Sequence, residues 1–99
     1  MRTTLIRYRT LADKADENQR AVEAVFAELA AQRPAGLRYV ALRAPDATFL
    51  HLVLSEPGAD PLSELESFRS FRGGLPVRCA EGPSPVDLVL VGDYRMVRT

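Results

Sequence analysis

The chain has 99 residues, 46% hydrophobic and 26% charged, with 13 Lys and Arg balancing 13 Asp and Glu. That composition describes one globular domain over 1–99, long enough to build an apolar core without metal or disulfide staples, and it excludes a disordered chain. A net charge of zero gives no overall field to draw in nucleic acid or an anionic membrane, so neither is expected as a partner.

Thr3 to Thr10 is rich in β-branched and aromatic residues and free of Gly and Pro, which predicts an opening strand. Arg7 and Arg9 interrupt it, so it is not the unbroken apolar stretch of a signal peptide. Val22, Val25, Phe26 and Leu29 then recur at helical spacing, with charged residues on the other faces, and predict a helix over about 16–33. Asp13, Asp16 and Glu17 suit its N-terminal end, Arg33 suits its C-terminal end, and Pro34 with Gly36 stops it.

Leu37–Arg43 and Thr48–Ser55 read as two strands joined by Ala44-Pro45-Asp46-Ala47 into an antiparallel hairpin. In the second strand Phe49, His51 and Val53 point one way and Leu50, Leu52 and Leu54 the other. Both faces being mostly apolar, the sheet is expected to be covered on both sides. After the loop Glu56–Pro61, the residues Leu65, Phe68, Phe71 and Leu75 predict a second helix, broken or kinked at Gly73-Gly74, with a short turn at Val77–Ala80. Beyond Gly82-Pro83-Ser84-Pro85, the run Val86–Met96 is expected to be the last strand, with a bulge at Gly92. No segment is long and apolar enough to cross a bilayer.

The order strand, helix, strand, strand, helix, strand predicts an α+β, ferredoxin-like βαββαβ sandwich: an antiparallel four-stranded sheet with two helices on one face. Two helices cover only one face, so a second copy of the chain is expected on the other, giving a homodimeric α/β barrel. The single Cys79 precludes an intrachain disulfide and makes a reducing cytoplasm the expected compartment.

With Leu5-Ile6-Arg7-Tyr8-Arg9, Arg33-Pro34-Ala35-Gly36-Leu37-Arg38-Tyr39, Phe49 to Glu56, Ser67-Phe68-Arg69-Ser70-Phe71 and Val91-Gly92-Asp93-Tyr94-Arg95 in this order, the sequence resembles the dimeric α/β-barrel superfamily. Within it, the likeness is to the antibiotic biosynthesis monooxygenase-like proteins. The resemblance implies a cleft between sheet and helices in each protomer, where some relatives oxidise phenolic polyketides, others degrade haem, and others have no known activity. It also implies a tryptophan near the end of the third strand in the oxidising relatives. This chain has no Trp and carries Ser55 there, and its one histidine lies on a strand rather than a helix. The relatives' mechanism therefore does not transfer residue by residue.

Candidate residues follow from their side-chain chemistry. His51 is the only group that titrates near neutrality unperturbed; it could take a proton from a phenol or hydrogen-bond a substrate oxygen, or be a buried neutral imidazole held by a neighbour. Tyr39 joins it as a catalytic candidate. Tyr8, Phe49, Phe68 and Phe71 are candidate ligand-binding residues, able to stack on an aromatic ring, and Arg7 could fork onto a phenolate or carboxylate. Tyr94 fits an interface. Arg9, Arg38 and Arg43 fit solvated or paired positions, and Arg69 and Arg72 beside Gly73-Gly74 make a weak anion site. One His and one Cys provide no metal constellation, and neither a metal nor another cofactor is expected. Two readings of function follow: a cofactor-independent monooxygenase acting on a small aromatic or phenolic substrate, or a non-catalytic ligand-binding or stress-associated homodimer. In the first, His51 and the tyrosines position the substrate.

Overall fold

The computed structural model describes residues 1–96. Four strands and two helices follow in the expected order: β1 (Arg2–Thr10), α1 (Ala15–Gln32), β2 (Leu37–Arg43), β3 (Thr48–Ser55), α2 (Glu66–Arg78) and β4 (Cys79–Leu88). Short 3-10 turns at Ala12–Lys14 and Leu62–Glu64 lead into the two helices. All pairings are antiparallel and the strand order is β2-β3-β1-β4, the ferredoxin-like arrangement.

Register decides which side chains meet the helices. Tyr8 faces Phe49, Ile6 faces His51, and His51 faces Ala41, so these residues with Tyr39 and Val53 share one sheet face. Against it pack Val22 and Val25 of α1 and Phe71 and Leu75 of α2, closing the core with Leu62 and Leu65. Leu5, Val40, Leu50 and Leu52 lie on the opposite face with Leu42, Val86 and Leu88, which are 57%, 50% and 40% exposed. The described residues leave that apolar face uncovered.

The first helix ends where Arg33 takes a left-handed conformation (φ 48°) and donates its N–H to the Leu29 carbonyl at 2.8 Å. Gly36, also left-handed at φ 74°, then turns the chain into β2; a Cβ there would sit 2.7 Å from the Glu56 side chain, so the position requires glycine. A carboxylate from α1 holds the start of α2. Glu28 accepts hydrogen bonds from the Ser67 N–H (3.0 Å) and hydroxyl (2.6 Å), which pulls its pKa below the usual carboxylate range.

The expectations at the C-terminal end are corrected. Gly73-Gly74 does not break α2, which runs through both glycines and past Pro76 to Arg78 with no intervening turn at Val77–Ala80. The last strand is Cys79–Leu88, not Val86–Met96. It is an edge strand paired only with β1, so Pro83 and Pro85 fit where a central strand would exclude them. It ends at Leu88 because that residue pairs with Thr3, close to the beginning of β1, and among the described residues no strand extends further for it to pair with. Register shifts occur around Arg9 rather than at Gly92. Among the described residues, no helix is long and apolar enough to cross a membrane.

Candidate functional site

The neighbouring strands β2, β3 and β1 bring Tyr39, His51 and Tyr8 side by side, because all three point to the helix side of the sheet. The imidazole lies between the two phenols. Its Nε2 is 2.8 Å from the Tyr8 hydroxyl, and its Nδ1 is hydrogen-bonded to the Tyr39 hydroxyl. Phe71 closes over the ring from α2, with centroids 5.6 Å apart. His51 is 3% exposed and Tyr8 1%, so the cluster belongs to the interior.

Polar partners continue behind Tyr8. Asn18 of α1, fully buried, donates its Nδ2–H to the Tyr8 hydroxyl at 2.9 Å. Arg78 at the end of α2 donates Nε–H to Asn18 Oδ1 at 2.9 Å and an Nη2–H to the Phe71 carbonyl at 3.0 Å. The guanidinium is buried, and none of the ion pairs among the described residues includes it. A hydrogen-bonded line therefore runs from Arg78 through Asn18, Tyr8 and His51 to Tyr39.

Burial sets the protonation states. Desolvation pulls the His51 pKa down to about 4, leaving a neutral imidazole at pH 7. It pushes Tyr8 up to about 12, against the opposing hydrogen bond from Asn18, and raises Tyr39 as well. At neutral pH the line holds neutral phenols, a neutral imidazole and one cation.

A cavity of about 110 Å³ opens beside this line, walled by Tyr8, Tyr39, His51, Phe68, Phe71 and Leu75, with Arg72 and Pro83 also bordering it. Its surface is almost wholly apolar, because the polar atoms of Tyr8, Tyr39 and His51 are turned into their own hydrogen bonds. Among the described residues, no cluster of three or more His, Cys, Asp or Glu side chains could hold a metal ion.

No protein-family model and no curated protein matches the sequence. Solved structures do match the fold. A protein from Nitrosomonas europaea, provisionally described as an antibiotic biosynthesis monooxygenase, superposes with a TM-score of 0.75 at 15% identity, over 91% of this chain and 89% of that one. One from Caulobacter crescentus, described in the same way, gives 0.72 at 18% identity over 92% and 90% of the two chains. A third, from Chloroflexus aurantiacus, gives 0.60 at 21% identity over 97% and 99%. The chain has the fold of the antibiotic biosynthesis monooxygenase-like proteins.

Within this monooxygenase-like fold the structure brings together five of the sequence candidates: His51, Tyr39, Tyr8, Phe68 and Phe71 all border the cavity. Phe49 does not. It packs behind Tyr8, with stacked rings 5.4 Å apart, and supports the site from the core. Arg7 lies on the opposite sheet face beside Glu81, 3.7 Å away, because it is an odd-numbered residue of a strand whose even-numbered residues face the helices. Tyr94 falls after β4 and is 79% exposed. Ser55, where the oxidising relatives are expected to carry tryptophan, ends β3 outside the cavity wall. Cys79 is half-buried, and burial raises its thiol pKa by more than the neighbouring Arg78 charge lowers it.

Sequence reasoning missed Asn18 and Arg78, although a signal was present. Asn18 shares the helix face of Val22, Val25 and Leu29, and Arg78 shares that of Phe71 and Leu75. A polar residue on an otherwise apolar helical stripe marks a buried group that must find partners.

Proposed function

We propose that this chain is a single-domain, homodimeric α/β barrel in the cytoplasm whose cleft binds a small aromatic molecule and brings it to react with oxygen without a resident cofactor. The observation that carries the reading is the His51 ring held between two tyrosine hydroxyls on the wall of an aromatic cavity of about 110 Å³. At about 110 Å³ it is smaller than the apolar cavity of about 150 Å³ that accepts benzene, so a single ring is the upper limit of what it takes without widening and a polycyclic substrate is too large. The balanced reaction converts a phenol and O2 to a quinone and water. One oxygen atom enters the ring, and the other leaves with the phenolic hydrogen and the hydrogen of the oxidised carbon. Electron transfer to O2 is easiest from a phenolate-like substrate oxygen, so the task of His51 and Tyr39 is to orient and stabilise that oxygen. The provisional description of the fold neighbours points the same way.

Dimerisation is supported by the apolar sheet face and by Val89 and Val91, which are 87% and 99% exposed. A second copy would cover both.

The test is oxygen consumption by the purified protein with one-ring phenols, set beside His51→Ala. Consumption that disappears in the variant supports the reading. Binding without consumption favours a ligand carrier, a second reading motivated by His51 itself, because an imidazole with a pKa pulled down to about 4 is a weak base.

A further inference from the structure

The cavity beside His51 offers a hydrogen bond to nothing that enters it. Tyr8 and Tyr39 commit their hydroxyls to the two imidazole nitrogens, and Arg72 meets the cavity with its apolar stem while its guanidinium lies over the Phe68 ring, 5.4 Å from the centroid. An enclosed water needs about two to four polar partners, so this space is dry. A second hollow adjoins it. That one measures about 530 Å³ and shares Ile6, Val53, Leu62, Phe68 and Arg72 with the cavity, so these side chains form a seam between the two. Its outer wall is polar, with Arg2 and Thr4 at the beginning of β1, Ser55 and Glu56 where β3 ends, and Asp60 and Ser63 ahead of α2.

The two reactants of the proposed reaction differ as the two hollows do. A phenol carries a ring and a polar oxygen, whereas dioxygen is a small, uncharged, apolar diatomic that leaves water readily for apolar space. A cavity smaller than one that takes benzene has no room for a ring and dioxygen together, yet about 110 Å³ is ample for two atoms. Of the two hollows, the outer one has both the room for a ring and the polar partners for its oxygen.

We propose that the dry cavity is the seat of dioxygen and that the aromatic ring stands in the outer hollow, against the seam of Ile6, Val53, Phe68 and Arg72. This rests on the reading of the cleft as the place where an aromatic molecule meets oxygen. The division also gives a use to the closed polar wall. Three polar side chains turned into one another present an apolar surface to the cavity, which keeps water from occupying the seat. Leu75 borders the cavity and not the outer hollow, so it separates the two halves of the site by experiment.

Xenon, an apolar atom that enters dry cavities, is the first probe. Under xenon pressure the methyl resonances of Ile6, Val53, Leu62 and Leu75 should shift saturably, and those of Val25, elsewhere in the core, should not. Under oxygen pressure the same four residues should relax faster than Val25, because dioxygen is paramagnetic. Leu75→Phe fills the cavity and should abolish both effects. The wild-type measurements decide the matter even where this variant fails to fold. Absence of both effects at the four residues overturns the dioxygen seat.

Phenol added to the xenon-loaded protein should shift the amides of Ser55, Gly58 and Ala59 and leave xenon in place. Displacement of xenon by phenol overturns the division of the site. Oxygen consumption is scored separately. With phenol as substrate, Leu75→Phe should raise the KM for oxygen several-fold and change the KM for phenol little, and an unchanged KM for oxygen overturns the seat. Dioxygen bound in the cavity without consumption of any phenol overturns the reaction and not the seat, which keeps the two failures apart.

Discussion

Protonating His51 places a charge on a ring that is 3% exposed and already bonded to two phenols, and the chain resists it. Unfolded, the imidazole titrates near 6.5; folded, near 4. Between these values the unfolded chain binds more protons, so the contribution of the neutral ring is intact above about pH 6.5, falls as the pH drops through the window, and is spent below about pH 4. The expected loss between pH 7 and pH 5 is about 2 kcal/mol. Urea unfolding at the two pH values should show that loss in wild type and a much flatter response in His51→Gln. An equal loss in both would place the acid sensitivity elsewhere. Glu28 and Asp46, whose pKa values are lowered by hydrogen bonds from Ser67 and Thr48, act only at more acidic pH and do not confuse the comparison. Strand alternation in the sequence was enough to place His51 beside Phe49 and Val53. It was silent on the two tyrosines flanking the ring, because those contacts depend on the register between strands.

The second helix shows how a local rule yields to packing. Two adjacent glycines and a proline read as a helix break, yet α2 continues because Phe71, Leu75 and Arg78 are all buried against the sheet and α1. The two glycines differ sharply in their surroundings. A Cβ at Gly73 meets nothing within 4 Å, whereas one at Gly74 would lie 2.4 Å from Arg78 Nη1. That guanidinium cannot swing aside without releasing Asn18 and the Phe71 carbonyl. Gly73→Ala should therefore stabilise by about 0.5–1 kcal/mol through helix propensity. Gly74→Ala should destabilise despite the same gain. Thermal unfolding of the pair checks this, and equal stabilisation would mean that Arg78 is free to move. The last strand shows the same principle from the other side: its composition favoured Val86–Met96, but pairing stops at Leu88, where β1 runs out.

At the scale of the molecule, the uncovered sheet face decides behaviour in solution. Leu42, Val86 and Leu88 stand exposed beside Leu50 and Leu52, and the apolar run past Leu88 has no partner strand among the described residues. The proposed dimer buries this surface, so dilution should dissociate the chain and lower its unfolding temperature together. Sedimentation across a concentration series with parallel thermal scans tests it. A compact monomer whose stability is independent of concentration would remove the dimer. Leu52→Asp, on the open face and away from His51, should shift the equilibrium toward monomer.

The sequence by itself determined the element order, the hairpin boundaries, the two-faced apolar character of β3 and the ends of α1, because those depend on residue periodicity and local turn chemistry. Tertiary structure decided the rest. Where the last strand begins follows from what β1 offers to pair with, whether α2 survives its glycines follows from what its buried face touches, and Arg7 faces away from the cleft because of the sheet's orientation toward the helices. The line from Arg78 to Tyr39 joins residues from five elements. No local pattern encodes such a line, since each hydrogen bond depends on distances that only the folded chain fixes.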